Sequence, residues 1–399
     1  FILDVWRFNM PSKKDKSKDA NFSVQPVASN EYDVIIVGAG AAGIGVAVTL
    51  VDVGLKNFII VDRDTVGSSF SSWPDETRFI TPSFPSNSIG MLDLNSIAIG
   101  VSPAFSMKIG HPTGKEYAAH LQDISNYFKL PVCENIDVKE IEKDGEKFRL
   151  KTQNETLIAK NVIWAAGEFQ YPRSGSFAGS DICRHTATVR NYADLEGDEF
   201  LIIGGYESGV DAAYHLAKRN KKIHLFDLES PWDEDSSDPS VSLSTFSYER
   251  MRHPTFGKNV KLFPKTPVSK VTFADEKYVL QTKDGRTFQS KVRPLLANGF
   301  EGSHKFVSHL FDKREDGFPL LTERDESTVA SGMYLCGPSV RHDNHDFCFI
   351  YKYRQRFAVV AQTIAASLDI STKEFVENYR SWGMYLDDLS CCGQECLTC

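Results

Sequence analysis

The chain has 399 residues, 41% of them hydrophobic and 25% charged, with a formal net charge of −8 and a pI of about 5.7. That balance supports two or three packed cores and offers no basic stripe, which argues against a nucleic-acid partner. The apolar runs, such as residues 34–37 and 58–61, are strand-length; they are far too short for a membrane span.

The start, FILDVWRFNM, lacks the basic segment and small-residue site of a secretion signal. The expectation is therefore a cytoplasmic protein with reduced cysteines. Residues 1–30 read as a disordered lead-in, polar and aperiodic over most of their length.

The stretch EYDVIIVGAGAAGIGVAVTLVDVGLKNFIIVDRD carries the clearest signal. Residues 33–37 form a short apolar run, hence a buried strand. Gly38, Gly40 and Gly43 follow as GxGxxG, and small and apolar residues over 41–53 predict a helix that Gly54 ends. A second strand at 58–61 carries Asp62 at its tip, with Arg63 beside it. Each glycine has a physical task. Gly38 permits the turn, Gly40 lets backbone approach a pyrophosphate, and Gly43 lets helix and strand pack closely. The helix N-terminus favours phosphate, and Asp62 can accept from a ribose hydroxyl.

Residues 133–160 read as short alternating strands, with turns at 144–145 and near 154. A second fingerprint begins at Glu199, EFLIIGGYESGVDAAYHLAKRNKKIHLFDLES. Its strand is 200–203, its turn holds Gly204, Gly205, Ser208 and Gly209, and its helix is 210–219. The next strand, 223–226, ends at Asp227. Tyr206 stands where a third glycine is usual, so the loop must bulge around a ring. Two such folds imply two dinucleotides, a held flavin and a transient nicotinamide. A carboxylate at Asp227 favours NADH over NADPH, unless Arg250 or Arg252 reaches back to a 2′-phosphate.

Residues 230–247 are acidic and serine-rich and read as a loop, either plain surface or a lid. Residues 349–368 have helical apolar spacing. The chain closes on SCCGQECLTC, which holds Cys391, Cys392, Cys396 and Cys399, a vicinal pair and a CxxC. CxxC spacing lowers thiol pKa, but the cluster is not a standard zinc spacing. A redox relay, a thiophilic-metal trap and an inert tail all remain open.

With both fingerprints placed, residues 31–385 resemble the two-dinucleotide-binding-domain flavoproteins, most of all the flavin-containing monooxygenase-like branch. VIWAAGEFQYP, with Gly167, is similar to the family's ATG crossover strand, and GMYLCGP, with Gly337, to the late strand that meets FAD. RPLLANGF resembles the second crossover, and GSSFSSW, with Trp73, the family's GG-x-W segment. SFAGSDICRHT resembles the monooxygenase hallmark with a longer spacer before His185, which the resemblance makes a candidate for holding the nicotinamide or gating the cleft.

The resemblance implies an α/β fold of two Rossmann-like three-layer ββα/βαβ domains, each with a small antiparallel β-meander. The FAD-binding domain would span 31–175 and 305–385, the inserted NAD(P)H-binding domain 185–303, and the cysteine-rich tail 386–399. In this architecture the loop PSVRHDNHDFCF runs beside the flavin, so Arg341, His342, His345 and Cys348 are expected near it. A metal site at HDNHD is not expected.

The resemblance further implies FAD with NADH or NADPH, a small-molecule substrate, and monooxygenase-like oxidation at sulfur or nitrogen. The alternatives are a thiol–disulfide or thiophilic-metal reductase using the tail, and a non-catalytic flavin redox sensor. The usual redox pair is missing. Ser68, Ser69, Ser71 and Ser72 occupy one usual place and Cys183 stands alone at the other. In the reductase reading residues 382–389 would act as an arm, reaching the chain's own flavin or that of a homodimer partner.

Overall fold

The computed structural model describes residues 30–86, 90–175, 177–234, 236 and 238–390. The expected lead-in over 1–29 and the cysteines Cys391, Cys392, Cys396 and Cys399 lie outside the described residues.

The first unit begins with β1 (Glu31–Val37), α1 (Ala41–Asp52) and β2 (Phe58–Val61). Short helices α2 (Ser68–Ser71) and α3 (Pro103–Met107) lead into α4 (Gly114–Tyr127), whose Thr113–Glu116 capping box satisfies its first amides. Then come β3 (Val132–Cys133), β4 (Val138–Asp144), β5 (Lys147–Thr152) and β6 (Thr156–Trp164). β1 lies between β2 and β6, parallel to both, and β3 extends the sheet beyond β2. Residues 34–37 are buried without alternation, as a central parallel strand covered on both faces requires. β4 and β5 form the antiparallel meander, joined to the start of β6.

The second unit contains β7 (Arg184–His185), β8 (Glu199–Ile203), α5 (Glu207–Ala217), β9 (Lys222–Phe226), α6 (Thr245–Met251), α7 (Pro254–Asn259) and β10 (Val260–Phe263). Strands β11 (Val268–Ala274), β12 (Lys277–Thr282) and β13 (Thr287–Ser290) make a separate antiparallel meander, and β14 (Leu295–Leu296) returns to the sheet. The parallel order is β10-β9-β8-β14-β7. β8 divides its residues by face: Phe200 and Ile202 pack with α5, while Leu201 and Ile203 pack with the meander. α5 starts three residues earlier than expected, because extended Tyr206 caps it. α6 starts inside the stretch read as a loop, with Ser244 as its N-cap.

The chain then rejoins the first sheet. β15 (Met333–Leu335) pairs parallel with the end of β6. The segment PSVRHDNHDFCF forms a hairpin of β16 (Arg341–His342) and β17 (His345–Asp346), turning at Asp343 with φ +47°. α8 (Ile350–Ser367) matches the expected helix within one residue at each end, and α9 (Lys373–Ser381) follows. α1 is wedged between the sheet and α8. A Cβ at Gly45 would collide with the Phe357 ring, so only glycine permits this approach.

Residues 382–389 are not a free arm. Met384 is fully buried, Leu386 donates to the Gln355 carbonyl at 3.0 Å, and Arg356 reaches the Leu386 carbonyl at 2.5 Å. Arg356 anchors this corner. Its guanidinium donates to both carboxylate oxygens of Asp325 at 2.9 Å, and both residues are essentially inaccessible. Removing one partner strands a buried charge. Asp325→Ala should therefore cost about 3–5 kcal/mol, read as a lower denaturation midpoint, although Asp325 lies outside every glycine turn.

Candidate functional site

Both glycine turns close in the same way. Gly38 and Gly204 have φ of +109° and +102°, and a Cβ on either would strike the backbone of Ala165 or Ala297, each the residue just after the neighbouring strand. Gly43 and Gly209 allow the helix to cross directly over the Gly38 and Gly204 carbonyls. Behind each turn an aspartate holds the loop. Asp62 accepts the Ala39 N–H at 2.6 Å, and Asp227 accepts the Gly205 N–H at 2.6 Å. Burial pushes the Asp62 carboxyl up, against the Ala39 and Asp64 amides that favour its charge.

In the first turn Gly40 faces a cleft of about 890 Å³, with nothing within 4 Å of the place a Cβ would take. The cleft runs from Gly38, Gly40 and the start of α1 past Asp62 and Arg63 to Trp73. Its opposite wall is the crossover after β6, including Gly167, together with Phe349, Ile350 and Tyr353 at the start of α8. The walls are strongly aromatic. Phe70, Trp73, Phe79 and Tyr117 pack together with centroids 4.5–5.6 Å apart, and Phe169 bridges to Phe300 at 5.2 Å. An open glycine, a helix N-terminus and an acid at the strand tip fit the pyrophosphate and ribose of a flavin dinucleotide. The aromatic end suits a flat ring system.

The second unit closes the cleft along one seam. Asp211 of α5 accepts from the Thr77 hydroxyl at 2.6 Å and pairs with buried Arg250. Burial opposes its ionisation, but the His215 hydrogen bond and the Arg250 charge prevail and hold its carboxyl below the usual range. Glu76 accepts the backbone N–H groups of Tyr192 and Ala193 and pairs with Arg219 at 2.8 Å. Arg190 donates to the Ser71 carbonyl at 2.7 Å. Thr186, Tyr192, Glu207, Ser208 and Arg250 thereby become part of the cleft wall.

Among the expected cofactor residues, Gly38, Gly40, Asp62, Arg63, Trp73, Gly167 and Ser208 line the cleft. Gly43 serves packing, and Gly337 lies against Ala42 of α1, with Pro338 reaching the wall. Gly204, Gly205, Gly209 and Asp227 form the second turn and are not among the residues lining this cleft, although Glu207 and Ser208 beside them are. Arg250 is committed to Asp211 and stacks over Phe246, so it does not reach back toward Asp227.

The expected cluster beside the flavin is divided by the hairpin. Only Cys348 lines the cleft, where burial raises its thiol pKa despite a 3.1 Å contact with Ser240. His342 points away, 2.5 Å from the buried carboxylate of Asp325. His345 turns its Nδ1 to the His342 carbonyl at 3.1 Å. Arg341 pairs with Asp346 at 2.6 Å and covers the Phe318 ring. His185 is a buried residue of β7. Its Nδ1 accepts the Ala187 N–H at 3.1 Å, and its Nε2 faces the Gly299 carbonyl at 3.0 Å, which places the ring proton on Nε2. Burial lowers its pKa, and it lies outside the cleft lining.

Sequence reasoning passed over Glu168. It directly follows Gly167 in AAGEFQYP and lines the cleft, with its carboxyl pushed up by burial against Arg341 and Arg173. An acid immediately after the crossover glycine was its visible signal.

The sequence pattern of the family described as "Pyridine nucleotide-disulphide oxidoreductase" matches residues 35–337, and the chain belongs to that family. It is 28% identical over 197 residues, 48% of this chain and 53% of the relative, to an "Uncharacterized oxidoreductase CzcO-like" of Geobacillus kaustophilus. The chain thus spans about half the length of the first curated relatives it matches. It is 22% identical over 83% of its length to "Bacilliredoxin reductase Bdr" of Bacillus subtilis, covering 97% of that protein. Among solved structures, the flavin-containing monooxygenase of Stenotrophomonas maltophilia superposes with a TM-score of 0.66 at 16% identity, over 85% of this chain and 99% of the other. The fold is therefore that of the two-nucleotide-domain oxidoreductases.

Two substitutions separate cofactor binding from folding. Gly40→Val adds a side chain only to open cleft, so it should keep the melting temperature of the FAD-free chain while weakening FAD retention by about tenfold or more, a loss of about 1.4 kcal/mol or more. Gly43→Val should instead disrupt the helix–strand crossing and lower stability itself. Glu168 gives a pH test. Its folded-state pKa is raised, so its ionisation costs stability, and that cost grows as pH rises through the raised value. Glu168→Gln should stabilise the chain at neutral and alkaline pH and have no stabilising effect below the ordinary value of 4.5, as read from paired thermal melts.

Proposed function

We propose that this member of the pyridine nucleotide-disulphide oxidoreductase family is an FAD enzyme of monooxygenase type acting on a small soft nucleophile at sulfur or nitrogen. One oxygen atom of O2 enters the substrate, and the other leaves as water, with two electrons and one proton delivered as hydride by NAD(P)H, the donor class of the family, and a second proton taken from solvent. FAD, when bound, supplies the two-electron relay. The chain's own part is to bind, enclose and protonate. Gly38, Gly40 and the α1 N-terminus offer the phosphate site. Trp73, Phe79, Phe169 and Tyr353 exclude water from the ring end. The Glu168 carboxyl keeps its proton to higher pH than a solvated acid and is one of the acids of the cleft wall, with Asp62 and Glu207, that burial biases toward the protonated form.

The observation that carries this reading is the thiol content of the cleft. Cys348 is the one cysteine among its described lining residues, so no dithiol lines the cleft among the described residues. Cys183 is buried, with its thiol pushed up to about 12 by burial, which makes it a poor nucleophile.

A second reading, disulfide reduction, draws on the likeness to Bdr over most of the chain. It would use the tail cysteines or an external disulfide. FAD-loaded protein supplied with NADPH or NADH should consume oxygen faster with thioanisole or N,N-dimethylaniline, forming sulfoxide or N-oxide in step with the oxygen used. Oxygen uptake without either product, combined with anaerobic thiol release from cystamine, would replace the first reading with the second. Loss of that thiol release on truncation after Ser390 would assign it to the tail.

A further inference from the structure

The second glycine turn repeats the first but is not left open. The position of Gly40 is taken by Tyr206, whose hydroxyl lies 2.5 and 2.8 Å from the carbonyl oxygens of Pro239 and Ser242. A Cβ on Gly205 would strike the Trp232 ring, so that indole covers the backbone of the turn. The next residue, Glu207, stands where α1 has Ala41. Its carboxylate accepts the Ser244 N–H at 2.6 Å and the Ser247 hydroxyl at 2.5 Å. A helix start that ordinarily favours phosphate therefore carries an acidic side chain, whose carboxyl burial pushes up, in place of the small Ala41 of the first turn. In this conformation the second turn does not fit a dinucleotide.

The segment that fills it also grips the other unit. Asp238 and Ser240 accept from Lys352 of α8 at 2.8 and 2.7 Å, and Ser240 Oγ lies 3.1 Å from Cys348 Sγ. Cys348 lines the flavin cleft. Residues 238–243 thus form a strap held both to Tyr206 of the second glycine turn and to the cleft wall at Lys352 and Cys348, while Trp232 covers Gly205.

We infer that strap docking and dinucleotide binding at the second turn are mutually exclusive. NAD(P)H binds there only after the strap has lifted from Tyr206 and Trp232 from Gly205, and the same movement takes the strap off Cys348. The strap is then a competitor built into the chain. The apparent affinity for a dinucleotide is the intrinsic affinity reduced by the fraction of molecules with the strap lifted. This rests on the family's use of NAD(P)H and not on oxygen chemistry.

The test reads binding without turnover. Ser240→Cys is made in a chain whose Cys391, Cys392, Cys396 and Cys399 are serine, loaded with FAD, and oxidised to join positions 240 and 348, with the bond verified by mass. Binding of ADP-ribose, NAD+ and NADP+ is measured by calorimetry. The oxidised form should lose about tenfold or more in affinity, with recovery on dithiothreitol. Trp232→Ala and Tyr206→Gly, each checked for native circular dichroism, should bind more tightly than the unsubstituted chain by about tenfold. Equal affinity in the oxidised and reduced Ser240→Cys protein would overturn the inference. So would unchanged, weaker or absent binding in both the Trp232 and Tyr206 variants. A failed oxygenation assay leaves this result intact, so the two conclusions fail separately.

Discussion

The carboxylate of Asp211 sets the geometry on which the site depends. It sits on the first turns of α5, buried, and takes a hydrogen bond from Thr77 of the other unit while Arg250 of its own unit pairs with it and His215 lies 3.3 Å away. A buried charge in such a position tolerates few alternatives, because each missing partner leaves an unpaid desolvation cost. The two units are consequently held at one angle, and Glu76, Arg219 and Arg190 extend the same seam at its edge. Across this seam Thr186 and Tyr192 of the second unit join Trp73 and Phe79 of the first in lining one cleft.

Within that frame the two glycine turns have diverged while keeping one backbone design. In both, a left-handed glycine passes under a neighbouring strand, and an aspartate at the next strand tip holds the loop amide. The difference lies in what covers the loop. The first is left open to a cavity, whereas the second is roofed by an indole, a phenol and a carboxylate from its own unit. Backbone conformation alone therefore does not define a dinucleotide site. The space in front of the turn does.

The C-terminal half of the first unit shows a related division. The loop after β15 carries a conspicuous cluster of histidine, arginine and cysteine, yet the hairpin turns most of it inward. His342 and Arg356 share one buried aspartate, Asp325, which ties the hairpin, α8 and residues 382–389 into a single block. That block presents the apolar start of α8 to the cleft, with Cys348 as its one thiol among the described residues. Chemically suggestive residues here serve cohesion, and an acid whose carboxyl burial pushes up in the cleft, Glu168, comes from the crossover loop instead.

Much of this was legible in the chain before folding. The glycine turns, their strands and the terminal aspartates could be read because their constraints are local: turn, helix start and strand tip fall within about thirty residues of one another. The helix at 350–367 was legible for the same reason, its apolar spacing being a property of one segment. The direction of His342, the burial of residues 382–389, the commitment of Arg250 to Asp211 and the covering of Gly205 by Trp232 were not. Each depends on contact between residues distant in sequence, where a hydrogen-bond partner or a close approach is selected by packing. The amino-acid sequence by itself determined that two nucleotide-type turns would form and what could support them. The tertiary structure alone decided which turn stays open, because only the folded chain places one segment's side chains in another segment's binding space.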